Sequence, residues 1–158
     1  MTENKDGDKV KDRFVRGFIA GVIAGIAMNI LNYILFYLLH FTSLRQLDYA
    51  AIALFGHKAT NLLEAIMGQV SQLFFSGALG VAFAYLITEI NSKYSLFKGL
   101  IFSISVWFTV FTTGLLFKVP HLVQPPTNTV LSNLLGATVY GLALPLILSW
   151  LDRKSKIE

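Results

Sequence analysis

The chain has 158 residues, 54% of them hydrophobic and only 14% charged, where a soluble domain carries roughly 25%. Having no cysteine, it has no disulfides, thiolate metal sites or iron–sulfur ligation. Its net charge of +4 lies beside apolar runs rather than on a folded basic surface, which argues against nucleic acid as a partner.

The charges leave four gaps. No Lys, Arg, Asp or Glu occurs from Gly17 to Leu44, from Ala65 to Thr88, from Gly99 to Phe117 or from Val119 to Leu151. Each run reaches the roughly 20 apolar residues that a helix needs to cross a bilayer. Backbone groups in lipid must be paired within a helix or a closed barrel, and the alternation of a barrel strand is missing. The expected fold is all-α: an integral membrane four-helix bundle, with a short interfacial amphipathic helix between the first two spans.

Residues 1–16 mix five basic with four acidic side chains and read as a disordered tail. Residues 17–151 form a single transmembrane domain. The first span runs from about Arg16 to Phe41. It is too long for the apolar core of a signal peptide and carries Asn29 and Asn32, so it reads as an uncleaved span. Ser43 and Gln46 then suggest a capping box. Leu44, Leu47, Ala51, Leu54 and Phe55 recur at helical spacing ahead of Gly56, which closes a short helix lying at the membrane interface. Asn61 and Glu64 form a cap-like pair opening the second span, which ends near Glu89. The third runs from about Phe97 to Lys118. Pro120, Pro125 and Pro126 break the chain before the fourth, from about Thr129 to Leu151, and residues 152–158 are a second tail.

Lys and Arg concentrate on the cytoplasmic side of membrane proteins. The first tail carries Lys5, Lys9, Lys11, Arg13 and Arg16. The loop after the second span carries Lys93 and Lys98, and the last tail Arg153, Lys154 and Lys156. Against these ten stand Arg45, Lys58 and Lys118. The asymmetry predicts a multi-pass protein of the cell (inner) membrane with both termini in the cytoplasm.

Helices in lipid gain little from hydrophobicity and pack through small residues instead. Gly17, Gly21 and Gly25 recur every four residues in the first span. The second offers Ser76, Gly80 and Ala84, and the fourth Ala137 and Gly141. Such faces join helices within one bundle or join protomers, so the bilayer, a homo-oligomer and a larger membrane complex are the partners to consider. Asn29, Asn32, Gln69, Gln72 and Asn133 fall in the outer halves of their spans. A buried amide costs a few kcal/mol unless paired, so these groups face one another or line a polar cavity opening outward.

His40, His57 and His121 lie on the outer side with Asp48 and Glu64. Imidazole and carboxylate suit a divalent metal or a proton sensor, although the spacing matches no known ligand motif. Within the spans there is no charge for an ion-coupled relay, no phosphate-binding glycine loop and no nucleophile elbow. Nothing calls for a cofactor or for catalysis.

Gly99, Trp107, the Asn128-Thr129-Val130 helix start and Tyr140-Gly141 give the carboxyl half a resemblance to the YqhR-type conserved membrane proteins of Gram-positive bacteria. The small-residue first span and the Lys98-Gly99-Leu100 opening of the third resemble, more loosely, the YagU-type inner-membrane proteins. The resemblance implies a small bacterial four-helix membrane protein. The YagU comparison implies a link to acid tolerance, and neither supplies catalytic residues. Two readings follow: a non-enzymatic accessory or envelope-stress component, or a small transporter or channel with a polar cavity opening outward.

Overall fold

A computed structural model describes residues 5–89, 94–119, 122 and 125–154, with side chains from Arg13 onward except at 88, 89 and 154. The order is α1 (Lys5–Tyr33), a π-helical turn (Ile34–Leu38), α2 (Gln46–Phe55), α3 (Leu62–Glu89), α4 (Ser95–Leu116) and α5 (Thr127–Lys154). Among the described residues there is no strand. Four helices are long and apolar enough to cross a membrane, over Arg13–Leu38, Leu62–Ile87, Ser95–Leu116 and Thr127–Arg153. The short α2 lies between the first two spans, as the apolar spacing predicts.

The boundaries differ from the charge pattern at both ends of the first span. Lys5 to Arg16, expected as tail, are helical. Asp8 stands three residues before Lys11 and Asp12 four before Arg16, the order in which acid–base pairs favour a helix. The other end stops short of Phe41. A wide turn pairs the Leu39 N–H with Ile34 O at 3.2 Å, and His40, with φ 48°, ends the run. Pro120, His121, Lys93, Lys156 and Gln124 lie outside the described residues.

α1 is the central helix, packed between α3 and α5; α4 leans on α5 and scarcely meets α3. The α1–α3 contact is made by backbones. A Cβ on Gly17 would stand 2.9 Å from the Ala84 Cβ, one on Gly25 2.8 Å from the Ser76 side chain, and one on Gly80 2.6 Å from the Gly21 Cα. Gly141 belongs to a different seam. Its added Cβ would lie 2.9 Å from Ser103 Cβ of α4, and one on Gly99 would run into the Gly141 carbonyl. Pro145, inside α5, cannot donate to that same carbonyl four residues back. In lipid, a carbonyl freed in this way is tolerated where a neighbouring helix covers it, and the bare Cα of Gly99 allows that approach. Ala20, Ala24, Phe83, Ala84, Tyr140, Leu144 and Leu148 fill the core between α1, α3 and α5. Beside them Arg16 and Asp152 pair at 3.0 Å, tying α1 to α5 at the end of the bundle that carries both termini.

α2 occupies the opposite end. Leu44, Leu47, Ala51 and Ile52 are buried while Leu54 is exposed, and Gly68 of α3 lets the Leu47 carbonyl come within 2.7 Å of its missing Cβ. Gly56, with φ 78°, closes the helix in the left-handed conformation that glycine adopts freely. The cap at its start is not the expected Ser43–Gln46 box. Ser43 bonds Thr129 at 3.0 Å and Gln46 turns to Asn133, so both are engaged elsewhere. The Asp48 carboxylate instead accepts the Arg45 backbone N–H at 2.8 Å. The Asn61–Glu64 pair does cap α3 reciprocally, with both bonds at 2.9 Å.

Candidate functional site

The buried amides at the α2 end form two groups, not one. In the first, between α1 and α3, Asn29 Nδ2 donates to Gln72 Oε1 at 2.8 Å and Gln69 Nε2 to the same oxygen at 3.3 Å. Tyr33 donates to Gln69 at 2.6 Å. Gln72 donates to Ser76 Oγ at 3.1 Å, and the Ser76 carbonyl accepts from Tyr140 of α5 at 2.7 Å. Asn29 and Gln72 are almost fully buried, and Asn29 Oδ1 has no partner.

The second group fastens α2. Asn32, 1% exposed, accepts the Gln46 backbone N–H at 3.0 Å and donates to Ser132 at 3.4 Å. Gln46 Nε2 donates to Asn133 Oδ1 at 3.0 Å, and Asn133 Nδ2 donates to Tyr49 at 2.6 Å and to the Thr129 carbonyl at 2.7 Å. An N–H left by the first turn of a helix has no partner within it, and Asn32 supplies one to α2. The sequence gives Gln46 only a capping role and no role to Tyr49, because both stand outside the four spans. Their one signal is the polar Gln46 between Leu44 and Leu47 of the apolar series. Of the third span's hydroxyls, Thr109 bonds back to Ser105 of its own helix at 2.8 Å and joins neither group.

Of the histidines and carboxylates at the α2 end, His57 and Glu64 approach each other at 3.9 Å, while Asp48 is engaged by Arg45. The Arg45 guanidinium grips Asp48 through Nη2 at 2.8 Å and Nε at 3.0 Å. It also lies over the Phe36 ring at 5.8 Å. The Asp48 hydrogen bonds hold Arg45 even more firmly protonated than usual. Glu64 accepts from Thr60 at 2.8 Å and 2.9 Å, with His57 Nδ1 at 3.9 Å. His40 is exposed, and His121 lies outside the described residues. Among the described residues no three of these types come together to hold a metal ion.

Because α4 stands off from α3, a cleft of about 410 Å³ lies between them. Phe75 and Leu79 of α3 line one wall, and Trp107 and Val110 of α4 the other. Ala137 and Tyr140 of α5 form the floor, and Tyr49 and Ala53 of α2 close the end. Gln46, Gln72 and Asn133 also reach its surface, whereas Asn29, Asn32 and Gln69 do not.

A family model described as conserved membrane protein YqhR matches residues 2–157. The chain belongs to the YqhR family. The match takes in nearly the whole chain, well beyond the carboxyl half that carries the resemblance in the sequence. Membership of this family and four apolar spans make it a multi-pass membrane protein. No curated protein and no solved structure matched the chain.

Proposed function

We propose that this YqhR-family protein is a non-enzymatic accessory component of the cell membrane, with both termini in the cytoplasm and α2 on the outer side. The observation that carries this reading is the pairing of the buried amides. Asn29, Asn32, Gln46, Gln72 and Asn133 each bond to another protein group. Asn29 Oδ1, buried and without a partner among the described residues, lies away from the cleft, so no chain of free polar groups offers a solute a path. No Asp, Glu, Lys, Arg or His lines the cleft, and carriers of ions place such groups within the membrane. The amides then act as fasteners that hold α2 as a fixed outer surface for a larger assembly.

Two measurements test this reading. Proteoliposomes holding the purified protein should be no more permeable to ions or small polar solutes than protein-free vesicles. A flux that Asn29→Leu or Asn32→Leu abolishes would establish transport instead. For the orientation, Tyr94→Cys should be shielded from an impermeant thiol reagent in intact cells and Lys118→Cys should react, since both positions are exposed. Labelling at Tyr94 alone would invert the topology.

A further inference from the structure

We propose that the cleft between α3 and α4 is a binding site for one acyl chain of a bilayer lipid, taken in sideways from the hydrocarbon core. This inference concerns a different face from the amide network and does not depend on the accessory role. It rests on where the cleft opens, what its wall presents and what its size admits.

The mouth lies at the depth of the lipid tails. Phe75 stands at the middle of the Leu62–Ile87 span and is 53% exposed. Val110, 46% exposed, faces it from the half of α4 nearer α2. Tyr140, on the floor, is at the middle of Thr127–Arg153. Tyr49 and Ala53 of α2 close the end toward the aqueous phase. The open side therefore faces lipid.

The wall offers hydrocarbon even where its residues are polar. Gln46 is bonded to Asn133, Gln72 to Ser76, Ser103 to the Leu100 carbonyl at 3.1 Å and Tyr140 to the Ser76 carbonyl. Water needs two to four polar partners to occupy a cavity, and each of these groups already has a protein partner. The Trp107 N–H, which has none among the described residues, is buried beneath the cleft surface. No Lys, Arg or His lines the cleft to meet a phosphate or carboxylate, so the headgroup stays outside and only a tail goes in. Size decides between a tail and a helix of another chain. One turn of helix, 10–12 Å across and 5.4 Å high, fills roughly 400–600 Å³. About 410 Å³ therefore takes in a single turn at most, so a spanning helix would rest on the rim and leave the cleft beneath it largely unfilled. A flexible chain one methylene wide has no such restriction.

Trp107 on the α4 wall reports occupancy. With Trp150→Phe it is the sole tryptophan of the chain. In detergent, titration with a phosphatidylcholine brominated in mid-chain should quench Trp107 saturably, reaching its end point near one lipid per chain. Filling the cleft from α2 with Ala50→Leu and Ala53→Leu, or from α3 with Ser71→Leu, should halve that quenching. Two routes from separate helices keep the test decisive if one variant misfolds. Quenching that rises without saturation and is equal in parent and filled variants would mean contact with lipid at the bundle surface only, and would overturn the proposal. Quenching by aqueous acrylamide in place of the brominated lipid would show a water-filled cleft. Protection from both quenchers together with self-association would show a second copy there. Either result would equally defeat it.

Discussion

The two faces of α3 are built on opposite plans. Toward α1, Ser76, Gly80 and Ala84 meet Gly17, Gly21 and Gly25 so closely that backbone touches backbone. Toward α4, Phe75 faces Trp107 and Val110 across an open cleft. In lipid neither face gains from leaving water, so contact area, close approach and, on the α1 side, the Asn29–Gln72 and Tyr33–Gln69 bonds decide which helices join. Small residues at four-residue spacing give a continuous seam. Bulky residues that find no groove opposite them leave the helices apart.

That contrast can be broken most severely at the seam. Gly21→Leu forces a branched side chain into the Ser76–Gly80 backbone. It should cost about 3 kcal/mol or more, the upper range of overpacking, read as a large fall in melting temperature in detergent. If Gly21→Leu melts like the parent, the α1–α3 seam is not what holds the bundle. A middle effect belongs to the amides. Asn32→Leu strands the Gln46 N–H and removes the bond to Ser132, a loss of about 1–3 kcal/mol. It should also speed thiol labelling at Leu47→Cys, now buried, because α2 comes loose. Unchanged labelling would mean that packing alone seats α2. The smallest effect is expected on the open side. Val110→Ala, trimming an exposed residue at the mouth of the cleft, should move stability by no more than about 0.5 kcal/mol. A loss as great as that of Asn32→Leu would show that α3 and α4 close on each other in the membrane.

Much of the seam was readable beforehand, because Gly17, Gly21 and Gly25 are separated by one helical turn and recur on one face. Gly141 was legible as a small residue at a helix contact, but its partner was not. It meets Gly99 and Ser103 of α4, and Pro145 beside it, which the reading of the fourth span passed over, frees the carbonyl that Gly99 accommodates. The five amides read as one polar set divide between two groups. Asn29, Gln69 and Gln72 lie between α1 and α3, while Asn32 and Asn133 depend on α2 for partners. The metal candidates shared a side of the membrane by topology, yet Asp48 is consumed by Arg45 three residues away and Glu64 by its own helix start.

The four spans and the helix between the first two follow from sequence alone, since a bilayer imposes a length on each crossing and requires every backbone group in it to be paired along the helix. Those constraints act on neighbours in the chain and leave their mark as uninterrupted apolar runs. Which helix lies against which, and where a cleft remains, was decided only in three dimensions. The bonds that seat α2 join residues 14, 87 and 84 positions apart, and at those separations no local pattern records which polar group will receive which proton.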